Sequence, residues 1–285
     1  MRLSKASLII SVYKSAEYLG CILDALCHQT YKDFDVLVSE DGSSSEILSV
    51  VEQHRRTANY PLKHVSQPDI GFRKNRALNS AIRLSESNYL IFIDGDCVPH
   101  PRFVESHLAQ AKIGVVPTGR RVELGSRFSR WLVNRPSRIR HLGNSAVYSA
   151  LLPALLFDGV KNPESGYFSA ALHYFAKSRP LSIVGCNFSG PKSVFAHING
   201  FNEDYKAPGI GEDSDIEWRL IRAGVTIVNI KFLAPLFHLW HPRSYSLSSE
   251  NYEIYTQTMG RNQWFAERGL VDSKSGCADE KNTAR

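Results

Sequence analysis

Long apolar runs are missing from this chain, and cysteine is too sparse to form a framework. The five cysteines, at positions 21, 27, 97, 186 and 277, make neither a C-x-x-C pair nor a zinc-ligand spacing. An odd, scattered set of this kind reads as reduced thiols of a cytoplasmic protein. No stretch approaches the about 18 apolar residues needed to span a bilayer, so the chain is expected to lie on a membrane surface at most. The apolar stretch Leu8–Val12 is too short for the core of an export signal. Internal repeats and low-complexity linkers are absent too. Neither sign of charge dominates: 34 basic against 28 acidic side chains leave a net charge of +6 and a pI of about 9.0. That excess favours anionic partners, either nucleotide phosphates or an acidic membrane, without choosing between them. No RNA- or DNA-binding motif accompanies it, so a nucleic-acid partner is not expected.

What is present is an ordinary globular balance, 43% hydrophobic and 22% charged over 285 residues. The organising stretch is Tyr89–Pro99. Its apolar run Leu90–Ile93 stops at two carboxylates, Asp94 and Asp96, separated by Gly95. Such a run suits a buried strand of a parallel sheet, and ligands of open α/β sheets bind beyond the carboxyl ends of their strands. Gly95 is expected to let the backbone turn so that both acids approach one centre. Paired hard oxygen ligands suit Mg²⁺ or Mn²⁺, above all beside a diphosphate. A lone D-x-D also occurs as a solvated turn, so the rest of the chain must decide.

Strands are expected at Ser7–Val12, Asp35–Glu40, Leu62–Val65 and Ile113–Pro117, separated by helices at helical apolar spacing. Ser15 is placed to cap the first helix, and the third, basic helix runs from Phe72 to about Leu84. This alternation predicts an α/β fold with a mostly parallel central sheet flanked by helices. It puts Asp41 and Asp94/Asp96 on one edge of that sheet. Further strands are expected at Ser182–Asn187, Val225–Ile230 and Leu233–Phe237, and helices from Glu212 to Gly224 and over Ser249–Glu267. The tail after Asp272 is polar and expected to fray. Between them, Ser126–His141 carries five arginines among Phe128, Trp131, Leu132 and Ile139, broken at Pro136. It reads either as a membrane-interface or acceptor-gripping segment, or as a solvated helix and loop. Tyr148–Phe157 is apolar but too short to span a membrane, and reads as core or lid.

Taken in order, the pieces resemble the inverting family-2 glycosyltransferases of the GT-A fold, over roughly 7–262. They are Ser11–Tyr13, Glu40–Ser43, Gly71–Asn79, Asp94–Asp96, Gly185–Asn187, Gly200–Asp204, Gly211–Asp213 with Trp218–Leu220, and His238–His241. The C-terminal half is similar to the galactosyl- and N-acetylgalactosaminyl-transferring branch. Where the family commonly has Ala-Arg-Asn, this chain has Asn75–Asn79. The resemblance implies one GT-A domain over 1–270 and a flexible tail, 271–285. Its parts are a nucleotide-binding half (1–117), a variable segment (118–180) and an acceptor-binding half (181–270).

The same resemblance implies transfer of Gal, GalNAc, Glc or GlcNAc from a UDP-sugar to a hydroxyl of a glycan or glycolipid, in bacterial surface polysaccharide or lipopolysaccharide synthesis. Donor contacts would come from Ser11, Tyr13, Asp41, Asp94, Gly95 and Asn187, with Arg73 or Lys74 offsetting diphosphate charge. Asp96 would hold Mn²⁺ or Mg²⁺, joined by His238 or His241. Asp213 would be the general base and should stay ionised at a helix N-terminus. Glu212 and Trp240 would hold the acceptor beside it. A protein contacting the inner face of the cytoplasmic membrane is expected. Two competitors are a sugar-nucleotide nucleotidyltransferase and a non-catalytic carbohydrate-binding protein. The first usually carries a glycine-rich phosphate loop after its first strand, and Val12–Ser15 contains no glycine. The second should have lost some of Asp41, Asp94, Asp96 and Asp213.

Overall fold

In the computed structural model, which describes residues 5–209, 212–242 and 248–271, the chain alternates strands and helices. The first half runs β1 (Ala6–Val12), α1 (Ala16–Leu26), β2 (Phe34–Glu40), α2 (Ser45–Arg55), β3 (Leu62–Ser66), α3 (Lys74–Leu84), β4 (Tyr89–Asp94), β5 (Cys97–Pro99), α4 (Phe103–Ala109), β6 (Val115–Thr118) and β7 (Arg121–Glu123). A helical segment follows: α5 (Ser126–Val133), α6 (Ile139–Leu142), α7 (Ser145–Phe157) and α8 (Ala170–Ala176). The last part holds β8 (Phe188–Pro191), α9 (Lys192–His197), α10 (Glu212–Arg222), β9 (Thr226–Asn229), β10 (Leu236–His238) and α11 (Ser249–Gly260).

Seven strands form the central sheet in the order β3-β2-β1-β4-β8-β6-β9, and β8 runs against its neighbours β4 and β6. The other pairings are parallel, in keeping with the crossover helices between them. Strands β5, β10 and β7 make a second, three-stranded sheet. The unbroken apolar runs of β1, β2 and β4 are buried on both faces, as parallel strands covered by two helix layers must be. Alternate residues serve alternate cores. Leu8, Ile10, Val36, Val38, Ile91 and Ile93 face one cluster, and Ile9, Leu37, Leu90 and Phe92 face the other. In the second, Phe92 stacks on Phe188 at 4.8 Å and meets Phe195 edge-on at 5.1 Å.

Register sets the edge. Ser11 pairs with Asp94 and Val12 with Glu40, so the carboxyl ends of β1, β2 and β4 finish level. The strand order reverses there, between β1 and its neighbours, which is where open α/β sheets bind ligands.

Several expectations need correction. The segment 182–187 is not a strand; the strand begins at Phe188. The N–H groups of Ile183 and Gly185 donate instead to Glu217 (2.6 Å) and Asp213 (2.9 Å) on α10, so the local run of β-formers is overruled by tertiary partners. Helix α11 stops at Gly260, and Asn262 has a left-handed φ of 53°. Ser15 does not cap α1; its hydroxyl donates to the Tyr13 carbonyl at 3.2 Å. Stretch 148–157 is helical and joins the core only in part, through the buried Tyr148 and Leu155; most of its side chains are on the surface. Gly95 is needed for close approach: a Cβ there would lie 2.9 Å from Val12 Cγ2 and 3.0 Å from the Ser11 carbonyl. Gly211, the tail after Asp272 and Cys277 lie outside the described residues; Cys21, Cys27, Cys97 and Cys186 are free thiols. Among the described residues no helix is long and apolar enough to cross a membrane.

Candidate active site

A cleft of about 900 Å³ opens over the carboxyl ends of β1 and β4. Its walls come from distant parts of the chain and do different work. On one wall Asp41, just past β2, is almost fully buried. Its Oδ2 accepts the Arg73 backbone N–H at 2.6 Å and its Oδ1 the Gln67 side-chain amide at 2.7 Å. Gln67 also donates to the Arg73 carbonyl, tying the loop before α3 to the end of β2. Behind Asp41, Glu40 accepts the Ser44 N–H at 2.7 Å and lies 2.8 Å from His64 Nε2. Tyr13 stands at the mouth with half its surface exposed, leaving a ring face for a planar base.

A second wall is an electrostatic network at the start of α10. Lys74 Nζ lies 2.7 Å from Glu212 and 3.0 Å from Asp94, joining the start of α10 to the end of β4. Burial alone would lower the Lys74 pKa, but Asp94, Glu212 and Asp213 outweigh it and hold it well above the ordinary value. Asp213 Oδ2 accepts the Gly185 N–H at 2.9 Å, and a Cβ on Gly185 would meet Asp213 Oδ1 at 2.3 Å. Burial, then repulsion by Glu212, pushes the Asp213 carboxyl up to about 6, with Lys74 and the Gly185 N–H opposing. Such a carboxylate is mostly ionised at neutral pH and is more basic than an ordinary aspartate. Asp215, two residues on, does something else. It is buried, paired with Arg219 at 2.7 Å and bonded to the Tyr205 hydroxyl at 3.1 Å, so it braces α10.

The floor holds a third group. Side-chain donor atoms of Asp96, His238 and His241 all lie within 4.8 Å of one another. Asp96 Oδ2 is 3.4 Å from His238 Nε2 and 3.2 Å from His241 Nε2. Both histidines of the His-Leu-Trp-His stretch therefore reach Asp96. Antiparallel pairing of β10 with β5 puts His238 opposite Cys97, and the Leu239 N–H donates to the Asp96 carbonyl at 2.8 Å. Burial raises the Asp96 pKa, but hydrogen bonds from both imidazoles prevail and hold it far below the carboxylate range. The His241 pKa is raised, chiefly by its bond to Asp96. One carboxylate and two imidazoles, partly exposed at the floor, are the donor set a divalent transition metal takes, and Mn²⁺ fits it.

Ser11, Asp94, Gly95 and Trp240 also line the cleft. Two expected donor residues do not. The Arg73 guanidinium turns away to donate to the Pro68 carbonyl, so of the pair it is Lys74 that faces the cleft. Asn187 is fully buried and donates to the Arg120 and Ala234 carbonyls, both at 2.9 Å. Sequence reasoning missed Gln67, which carries no motif. It also missed Arg121, which enters the cleft from β7 beside Cys186 and Glu123.

A model of glycosyl transferase family 2 matches residues 7–167, more than half of the chain. The chain belongs to glycosyl transferase family 2. A second model, described as the N-terminal domain of galactosyltransferase, matches residues 166–242, the part that holds Asp213, His238 and His241. Validoxylamine A glucosyltransferase of Streptomyces hygroscopicus subsp. jinggangensis (strain 5008) is 30% identical over 227 residues, 77% of this chain and 52% of that protein. Chondroitin synthase of Escherichia coli is 27% identical over 239 residues, 76% of this chain and 32% of that protein. The chain thus spans about half or less of these relatives. Among solved structures, GalNAc-T7 with UDP, GalNAc and Mn²⁺ superposes with a TM-score of 0.60 at 12% identity, over 90% of this chain and 47% of that one. S. aureus TarS superposes with a TM-score of 0.59 at 17% identity, over 98% and 43%. The fold of this family-2 chain is GT-A, and membership sets the nucleotidyltransferase reading aside.

Proposed function

We propose that this chain transfers a hexosyl or N-acetylhexosaminyl group from a UDP-sugar to a hydroxyl of a glycan or glycolipid, with inversion. The reading assigns it to the cytoplasm, in synthesis of a bacterial surface polysaccharide or lipopolysaccharide. One observation carries it: a single cleft is lined by Asp41, by a basic carboxylate, Asp213, and by the Asp96–His238–His241 cluster. Relatives named as sugar transferases and neighbours crystallised with UDP or UDP-GlcNAc support the same donor class.

Asp41, oriented by Gln67 and the Arg73 N–H, retains lone pairs for the N–H of uracil, and Tyr13 covers the base. Ser11 and Asp94 border the ribose and donor sugar. Asp96, His238 and His241 would hold a divalent cation, which when bound supplies Lewis-acid stabilisation of the departing diphosphate. Lys74 and Arg121 add fixed positive charge to the cleft where charge develops on the leaving group. Asp213 takes the proton of the acceptor hydroxyl. The oxygen's electron pair forms the new bond to the anomeric carbon, and the old bond's pair leaves with UDP. Attack from the face opposite the diphosphate inverts the centre. Glu212 Oε2 is buried and has no hydrogen-bond partner among the described residues, so a hydroxyl of the acceptor would satisfy it. Trp240, half exposed at the mouth, offers the acceptor sugar a flat apolar face.

A panel of UDP-sugars with Mn²⁺, scored for UDP release with and without acceptors, tests this reading. EDTA should abolish release, and Mn²⁺ or Mg²⁺ should restore it. Asp96→Ala should weaken UDP binding only when metal is present. Full turnover in EDTA would sink the metal-assisted mechanism, and no turnover of any UDP-sugar would favour a carbohydrate-binding protein.

A further inference from the structure

Helix α7 is predominantly apolar and carries no charged residue, yet only Tyr148 and Leu155 are buried. Helices of this composition are ordinarily enclosed. Here Leu156 and Phe157 at its C-terminal end are 55% and 82% exposed. Beside this apolar tip lies a shallow groove of about 510 Å³ on α5, lined by Ser126, Arg127, Arg130, Trp131, Asn134 and Arg138 and by no acidic residue. Among the described residues none of its three arginines forms an ion pair. Arg127 lies over the Phe157 ring at 5.9 Å and Arg138 over Trp131 at 4.8 Å. The two features make one face, because Asp158 at the end of α7 accepts the N–H groups of Arg127 (3.2 Å) and Phe128 (2.9 Å). That face borders the cleft: Gly125, Asp158 and Gly159, the residues joining it to the rest of the fold, line the cleft wall.

We infer that the α5–α7 face docks on an anionic lipid bilayer, with headgroup phosphates in the arginine groove and Leu156 and Phe157 in the acyl boundary. Docking there presents the cleft to a lipid-borne acceptor; this last clause rests on the transferase reading above. Charge complementarity selects the occupant. An acidic polymer in solution would satisfy the arginines but leave Leu156 and Phe157 in water. A second copy of the chain, joined about a two-fold axis at Phe157, would bring arginine grooves of like charge together. An anionic bilayer supplies phosphate and hydrocarbon at once, at the depths that arginine and aromatic side chains occupy.

The test uses the full chain with vesicles of phosphatidylcholine alone or mixed with phosphatidylglycerol. Sedimentation should occur only with the anionic vesicles and fall as salt rises. Arg127→Glu with Arg130→Glu should lower binding tenfold or more, since each basic residue at such a surface contributes about fivefold. Leu156→Ser with Phe157→Ser should lower it as well. Brominated acyl chains should quench Trp131, so Trp131→Phe should remove most quenching although three other tryptophans remain. UDP binding by calorimetry should be unchanged in all these variants, which shows that they fold. Equal binding to both vesicle types, or to neither, overturns the inference. So does binding that survives the double arginine change, a dimer dissolved by Phe157→Ser, or an acidic polysaccharide held as tightly as vesicles. Vesicle binding without turnover of any UDP-sugar leaves docking standing and removes only the acceptor clause.

Discussion

The two walls of the cleft hold their carboxylates by different means. Asp41 is held by geometry: both of its oxygens accept N–H groups fixed in neighbouring loops. Asp213 is poised by a balance: burial and then Glu212 push its proton affinity up, and Lys74 with the Gly185 N–H pulls it down. The first arrangement suits recognition of a group that does not change during a reaction. The second suits a group that must gain and lose a proton, because its basicity is a balance that can be tuned. The comparison teaches that one residue type is fixed for recognition by its hydrogen bonds and tuned for proton transfer by burial and neighbouring charge.

Asp213→Asn is the sharpest way to break the comparison. It keeps the shape of the side chain and removes the proton acceptor, so kcat should fall about a hundredfold or more. UDP affinity, which depends on the other wall, should hardly move. Parental turnover in this variant would remove Asp213 from the role. Glu212 would then be the next residue to test, because Asp215 is committed to Arg219.

A smaller effect concerns the balance itself. Asp213 must be ionised to accept a proton, so kcat/KM should be level above about pH 6 and fall tenfold per pH unit below it. Lys74→Met removes the charge that opposes protonation, so the acid limb should move to higher pH, with partial recovery in alkaline buffer. Glu212→Gln should move the limb the other way, and Lys74→Arg should restore it. A uniform drop at every pH, with the limb unmoved, would mean that Lys74 does not set the proton affinity of Asp213.

The smallest effect belongs to the geometric wall. Gln67→Ala removes one hydrogen bond to Asp41, a net loss of about 1 kcal/mol, which corresponds to a several-fold weaker Kd for UDP. The pH profile should stay where it is. A shifted acid limb in this variant would show that the two walls are not independent.

Much of the frame was legible in order along the chain. The runs Leu8–Val12, Val36–Val38 and Leu90–Ile93 are strands because continuous apolar residues suit a sheet covered on both faces. The acids that end them fall on one edge because parallel strands point the same way. Local pattern misled at 182–187, where a β-forming run gives its N–H groups to α10, and at α7, where an apolar run lies on the surface. Neither outcome is written in the run itself, since both depend on what lies opposite.

The sequence by itself determined the α/β alternation, the two acidic strand ends and the presence of Asp213 in the first turn of a helix. Periodicity and chain direction suffice for these. Only the tertiary structure decided which groups meet. It brought both histidines to Asp96, turned Arg73 away and buried Asn187 among backbone carbonyls. It also carried Lys74 across a sequence separation of 138 residues to Glu212. The physical reason is range: propensity acts over a few residues, whereas hydrogen bonds and charge pairing join whatever the sheet register and helix packing bring within about 3 Å.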